Sequence, residues 1–299
     1  TADGDVSKFV VAGSVFTDRA AVPASLFVAS GVGYDGQFYY RLARNPIEVK
    51  KDAYGITLDA PLRLNRITYS ALSYVASGGY ASALPWALVV VNVLALGATA
   101  AFGALFARQS GRHAMYGVWF PLYFGFVFTL ARDLTEVVEV AFLLAGLLAF
   151  RTKHWFVAAG LLSAAVLGRE TAVAVVIAIG VIRVADRMRR RSFFGTEDVA
   201  WIAPLLAMAA WQIYGAIGFG KLPATTGAPG NGVAIPFQQL IVAVSDWTSH
   251  LNSVSGLIHV GEAATLIGVA IYALYALRST SAPRHEQLGL AFLIILSLV

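Results

Sequence analysis

Past Leu84 the chain reads as long apolar runs separated by short polar segments, whereas residues 1–83 are mixed and hold no run of 18 apolar residues. A helix needs roughly 20 apolar residues to cross the hydrocarbon core of a bilayer. The runs Leu84–Phe106, Ala114–Ala131, Leu134–Phe150, Val199–Phe219 and Val260–Leu277 therefore predict spanning helices, and Leu288–Val299 predicts the start of another. Trp155–Ile182 is different, with 28 residues and Gly168, Arg169 and Glu170 in its middle. As one helix it would be about 42 Å long, so two short helices turning at Gly168–Glu170 compete with it.

Loop charge decides between these. Short cytoplasmic loops carry excess Lys and Arg. Arg108 and Arg112, Arg151 and Lys153, the five arginines between Arg183 and Arg191, and Arg278 and Arg284 all lie in short segments between apolar runs. All four segments can lie inside only if Trp155–Ile182 goes out and returns as a hairpin.

The polar segments carry their own patterns. Gly36–Arg44 predicts a short helix with Asp35 at its N-cap and Pro46 beyond its end. Ile67, Ala71, Tyr74 and Val75 recur at helical spacing, which predicts a second short helix in the membrane interface, closed by Gly78 and Gly79. Residues 220–236 are rich in Gly and Pro and predict a loop. Phe237, Leu240, Ile241, Val244, Trp247, Leu251 and Val254 then form an apolar stripe with polar residues between, an amphipathic interfacial helix.

The expected fold is all-α, a polytopic membrane helix bundle with a long external first loop. Its parts are the loop 1–83, helices over 84–219 including the hairpin 155–182, an external loop and interfacial helix over 220–257, and helices over 258–299. The chain begins at Thr1 without Met and stops within an apolar run, so a further helix is expected before it and an incomplete one at its end, the alternative being a processed or partly ordered chain.

Composition agrees with a membrane protein: 58% of residues are hydrophobic and 13% charged, against about 25% charged in an average soluble domain. The formal charge of +5 comes mostly from the short loops and so reports orientation, not nucleic-acid binding. The absence of cysteine excludes disulfides, thiolate catalysis and zinc-thiolate sites, and the five histidines show no metal-ligand spacing.

Four groups of residues on the expected outer side carry chemistry, and each has two readings. Asp35 is either a general base, walled by Tyr34, Phe38, Tyr39 and Tyr40, or the cap of the helix that follows. Arg63 and Arg66, three apart and on one helix face, either clamp a phosphate or touch lipid headgroups. Asp133, Glu136 and Glu139 enter a span either because they face a wet cavity or because carboxylates suit a helix N-terminus. Arg169 and Glu170 either pair with each other across the hairpin turn, or Arg169 faces an anionic substrate while Glu170 orients it.

The segments GYDGQFYYRLARNP, LRLNRITYSAL and ARDLTEVVEV through VLGRETAVAVV resemble the bacterial GT-C superfamily of membrane glycosyltransferases, in particular the mannosyltransferase-like branch related to the GPI mannosyltransferases. The likeness covers roughly residues 5–185, and beyond that only hydropathy. It implies a polyprenyl-phosphate sugar donor, a glycan or lipid acceptor, and inverting transfer on the external side of a bacterial cytoplasmic membrane. Asp35 would then be the catalytic base, and Tyr34, Gln37, Tyr39, Arg63, Arg66, Asp133, Glu136, Arg169 and Glu170 would bind substrate. No cofactor is implied as required. No Asp-x-Asp pair lies near Asp35, which leaves a divalent cation open and assigns no metal ligand. The alternative is a non-enzymatic membrane protein, a transporter of lipid-linked intermediates or a scaffold subunit on the same fold.

Overall fold

The computed structural model describes residues 4–225, Ile267, Gly268, Ile271, Tyr275 and residues 283–297. The expected amphipathic helix over 237–254 and nearly all of Val260–Leu277 lie outside them. The described chain is mostly helical. It also holds two short two-stranded sheets: Ala12–Gly13 (β1) pairs in parallel with Val28–Ala29 (β2), and Asp52–Ala53 (β3) pairs antiparallel with Ile56–Thr57 (β4).

The chain divides into two compact units, residues 1–172 with 195–230 and residues 173–194 with 231–299. This grouping differs from the hydropathy boundary at residue 83. Val10, Leu26, Tyr39, Leu58 and Leu64 share one core with Leu84, Leu88, Leu134 and Val137, so the N-terminal segment and the long helices that follow it are a single packed body.

Within the first unit, α1 spans Gly36–Arg44 and ends where Asn45 turns extended ahead of Pro46. Residues Gly36 to Ala43 are all buried. Arg41 is kept inside by donating to the carbonyls of Glu48 and Lys50. Helix α2 spans Ile67–Ala76 and stops at Gly78 and Gly79, both with positive φ.

The buried face of α2 is not the expected apolar one. Tyr69, Ser70 and Ser73 are inside, while Tyr74 and Val75 are exposed. Burial of the hydroxyls is tolerated because each has a partner: Ser70 donates to the Tyr39 carbonyl at 3.0 Å, Tyr69 to that of Leu88 at 3.0 Å, and Ser73 to that of Tyr69 at 2.9 Å.

Helix α3 spans Leu84–Gln109. The next expected span, Ala114–Ala131, is broken: a 3₁₀ turn at Ala114–Trp119 is followed by α4 at Phe124–Ala131. Pro121 lies in the gap, and proline lacks the N–H and clashes with the preceding turn of a continuous helix. The broken segment still lies against α3, because Gly117 has no side chain; a Cβ there would sit 2.2 Å from the backbone nitrogen of Ala104.

Helices α5 (Glu136–Arg151) and α6 (Trp155–Gly168) follow. The long run Trp155–Ile182 is interrupted, as two helices require: Arg169 is extended, and α7 begins at Ala172 and runs to Arg190. After a 3₁₀ turn at Thr196–Asp198, α8 spans Val199–Phe219. Among the described residues, two helical stretches, Leu84–Gln109 and Thr196–Phe219, are long and apolar enough to cross a membrane. In the second unit, α7 meets a helix at Arg284–Ser297, where a Cβ on Gly289 would lie 3.2 Å from Val175 Cγ1.

Side-chain contacts fix the direction of the helices in the first unit. Asn92, near the start of α3, donates to the carbonyl of Leu134 at 3.1 Å, and Arg151, at the end of α5, donates to Gln109 at 3.0 Å. Helices α3 and α5 are therefore parallel. Gly146 abuts Leu162 and Gly168 abuts Glu139, so α6 runs antiparallel to α5. Arg108, Arg112, Arg151 and Lys153 gather at one end of these helices, and Asp133, Glu136, Arg169 and Glu170 at the other.

Gly117→Val is expected to force the broken segment off α3 and to cost about 1–3 kcal/mol, the usual range for overpacking. Thermal unfolding in detergent measures this, and an unchanged midpoint would place the segment elsewhere.

Candidate functional site

The site lies at the carboxylate-rich end and is built around the turn before α1. Gly13 and Gly33 cross there so closely that a Cβ on Gly33 would come within 2.5 Å of the Gly13 nitrogen. Gly36 is equally confined, its Cβ position lying 2.6 Å from the carbonyl oxygen of Arg132. The guanidinium of Arg132 lies over the rings of Tyr34 and Phe128, 4.3 Å from each centroid. The Asp35 turn and the Arg132–Asp133 turn are thus pressed together, although almost 100 residues separate them in sequence.

Asp35 stands at the cap position of α1 but makes no capping hydrogen bond. Its Oδ2 accepts instead from Arg63, which separates the two readings of this residue at the level of contacts. Among the described residues, Oδ1 takes no hydrogen bond. Arg63 also donates twice to Asp59, at 2.8 Å from Nε and 2.8 Å from Nη2, and lies 4.9 Å from the centroid of Phe38. Burial works to lower the Arg63 pKa, but Asp59 and Asp35 outweigh it and hold the guanidinium firmly protonated. Asp59 is a member the sequence analysis missed; its i,i+4 spacing to Arg63 was the available signal.

Arg63 and Arg66 do not share a helix face. Arg63 belongs to a 3₁₀ turn at Pro61–Asn65, and the backbone of Arg66 is not helical. Arg66 turns to a different set of partners, Glu170 at 2.8 and 3.3 Å and the Tyr39 hydroxyl at 3.2 Å. Burial would raise the pKa of Glu170, but the hydrogen bonds and charge of Arg66 prevail and hold it below the ordinary glutamate value. Tyr39 is buried, and burial raises its hydroxyl pKa despite Arg66 beside it.

Arg169 and Glu170 do not pair with each other. Arg169 reaches Glu136, whose other oxygen accepts from Thr129 at 3.3 Å. Glu139, one turn along α5, accepts from Thr171 at 2.6 Å. Thr171 is a second member not anticipated from the sequence. Glu136 thus pairs with Arg169, and Tyr39 feels the charges of Arg66, Asp35 and Glu136 together.

Asp133 and Gln37 sit differently. Asp133 is fully enclosed, has φ of 49°, and accepts from Tyr69 at 3.4 Å, while its Oδ2 has no partner among the described residues. Burial pushes its pKa up to about 8, with the Tyr69 hydrogen bond acting the other way. Gln37 is buried and used up in holding the loop: its Oε1 accepts from Gly13 N and Thr17 Oγ1, and its Nε2 donates to the Val32 carbonyl. Neither side chain opens onto the network, so both support it from behind.

Three arginines, Arg63, Arg66 and Arg169, therefore face four carboxylates, Asp35, Asp59, Glu136 and Glu170, in bonds that leave the side chains partly exposed. Such a cluster can hold an anion by exchanging carboxylate for phosphate oxygens, which suit the guanidinium fork equally well. Among the described residues, no group of three or more His, Cys, Asp or Glu side chains is placed to hold a metal ion. Comparisons of the chain with protein-family models, with curated proteins and with solved structures found no match.

Asp133 generates a stability prediction. Its folded pKa of about 8 lies above the unfolded value of 3.8, so between these the native state holds a proton that the unfolded chain releases. Stability should fall as pH rises from about 4 to about 8. Asp133→Asn should flatten that dependence, measured as unfolding midpoints at pH 5, 7 and 9 in one detergent; parallel curves for the two proteins would refute it.

Proposed function

We propose that the protein is a membrane glycosyltransferase of the GT-C type, moving a sugar from a polyprenyl-phosphate donor to an acceptor hydroxyl. The observation that carries this is the Asp35 carboxylate, free of any capping duty and paired with Arg63 at one end of apolar helices. Two further features favour it. An apolar groove of about 430 Å³ runs between α2, α3, α5 and α6, lined by residues such as Leu72, Val75, Leu94 and Phe142, and suits a prenyl chain. Exposed Leu206, Ile213 and Ile217 on α8 fit a lipid-facing helix of a polytopic bundle in a bacterial cytoplasmic membrane.

In this reading Asp35 Oδ1 takes the proton of the acceptor hydroxyl. The resulting oxygen nucleophile attacks the anomeric carbon from the face opposite the leaving group. The bond from that carbon to the phosphate oxygen breaks, and the prenyl phosphate departs with both electrons, so configuration inverts. Arg63, Arg66 and Arg169 stabilise the charge that builds on the phosphate. The segregation of Arg108, Arg112, Arg151 and Lys153 to the far end favours an external site, because basic loops stay in the cytoplasm.

Asp35→Asn is expected to retain donor binding and lose about 100- to 10,000-fold in turnover, the usual contribution of a general base. The assay is transfer from a polyprenyl-phosphate sugar by the purified protein in lipid; turnover at the wild-type rate would remove the base and favour a scaffold or transporter. Arg169→Ala should leave the fold intact and weaken donor binding about tenfold or more, the loss expected for one charge-assisted hydrogen bond of roughly 1.5–3 kcal/mol. Donor affinity equal to wild type would take Arg169 out of the phosphate site.

A further inference from the structure

A second concave site lies beside the Asp35 turn and takes no part in the ion-pair network. It is an open cleft of about 560 Å³ between residues 14–18 and 52–57, within the size range of small-molecule sites, roughly 300–1,000 Å³. Ser14, Phe16, Thr17, Asp18, Asp52 and Thr57 line it. Arg19 and Lys51 are neighbours in sequence but do not face it, so its charged lining is acidic only.

Its two walls are stitched together. Asp18 N donates to the Gly55 carbonyl at 2.8 Å, and Thr57 N to that of Phe16 at 2.9 Å. Gly55 has φ of +76°, and a Cβ there would meet Ala21 at 2.9 Å, so the hairpin tip closes tightly only with glycine. Each carboxylate is held by one oxygen. Asp18 Oδ1 accepts from Ala20 N at 2.9 Å, and Asp52 Oδ1 from the Thr57 hydroxyl at 2.5 Å. Among the described residues, their second oxygens take no hydrogen bond and stay open to a ligand. The cleft is therefore built in advance, which reduces the entropy lost on binding.

The lining sets the ligand class. Two exposed carboxylates with the Ser14 and Thr57 hydroxyls beside one aromatic ring suit a molecule rich in hydroxyl donors with an apolar face. The same carboxylates repel a phosphate, so the lipid-linked donor is excluded. The cleft is also joined to the catalytic turn: Thr17 donates to Gln37 at 3.0 Å, two residues after Asp35, and the rings of Phe16 and Phe38 meet edge to face at 5.5 Å.

We infer that this cleft binds a neutral carbohydrate. This binding does not rest on the transferase reading. The probes are methyl α-mannoside, methyl α-glucoside and methyl β-galactoside, tested by saturation-transfer NMR on the purified full chain in detergent. At least one hexoside should bind to wild type, the Asp18→Asn/Asp52→Asn variant should lose tenfold or more in affinity, and Asp35→Asn should bind within twofold of wild type. Both aspartates are exposed, so the double variant is expected to fold, and an unchanged unfolding midpoint checks this. Binding of none of the three, binding undiminished in the double variant, or binding only in the presence of calcium would overturn the proposal. Hexoside binding that persists in a protein with no transfer activity would defeat the transferase reading and leave the cleft standing.

Discussion

The guanidinium of Arg63, held between Asp59 and Asp35, is the contact on which one end of this molecule depends. A cation mostly withdrawn from water is tolerated only when its charge and its donors are matched. Arg63 matches both by taking two hydrogen bonds to one carboxylate and a third to another. This holds the 59–66 segment across the start of α1, and from there Arg66 reaches Tyr39 and Glu170. The same contact keeps Asp35 away from its own helix and presents its second oxygen.

The helices explain why so much charge can collect in an apolar protein. Helices α3 and α5 run parallel and α6 returns between their ends, so loops of like character fall together. The cations of the 107–113 and 151–154 segments lie at one end, and the carboxylates that open α5 meet the α6–α7 interruption at the other. Helix α2 bridges the two regimes. Its hydroxyl face turns inward and finds partners, and its apolar face helps line the groove between the helices.

Much of this was legible in the sequence where one local rule was enough. The end of α1 followed from the proline beyond it, although its start was read from a cap that Asp35 does not make; the end of α2 followed from its glycine pair, and the break in Trp155–Ile182 from three polar or flexible residues within an apolar run. The misses arose where a distant partner overrode the local pattern. Pro121 stood in plain view inside an apolar run, but its effect appears only because Gly117 lets a broken segment dock on α3. The inward face of α2 was hidden because Ser70 and Tyr69 are paid for by carbonyls of α1 and α3. Asp133 and Gln37 were grouped with the substrate-facing residues by sequence position, yet the folded chain encloses both. Asp59 and Thr171 were missed because neither stands out until Arg63 and Glu139 are placed beside it.

The contact between Arg66 and Glu170 joins residues 104 apart, and Trp211 reaches the Leu64 carbonyl across 147. Chain emerging from a ribosome through Asn65 already holds Asp35, Asp59 and Arg63, and so can form the inner half of the network. The outer half waits for the α6–α7 interruption, and the wall from α8 comes later still. Until then Arg66 has only Tyr39 for a partner, and the order of synthesis alone keeps the charged cluster unfinished while the first apolar helices are being made.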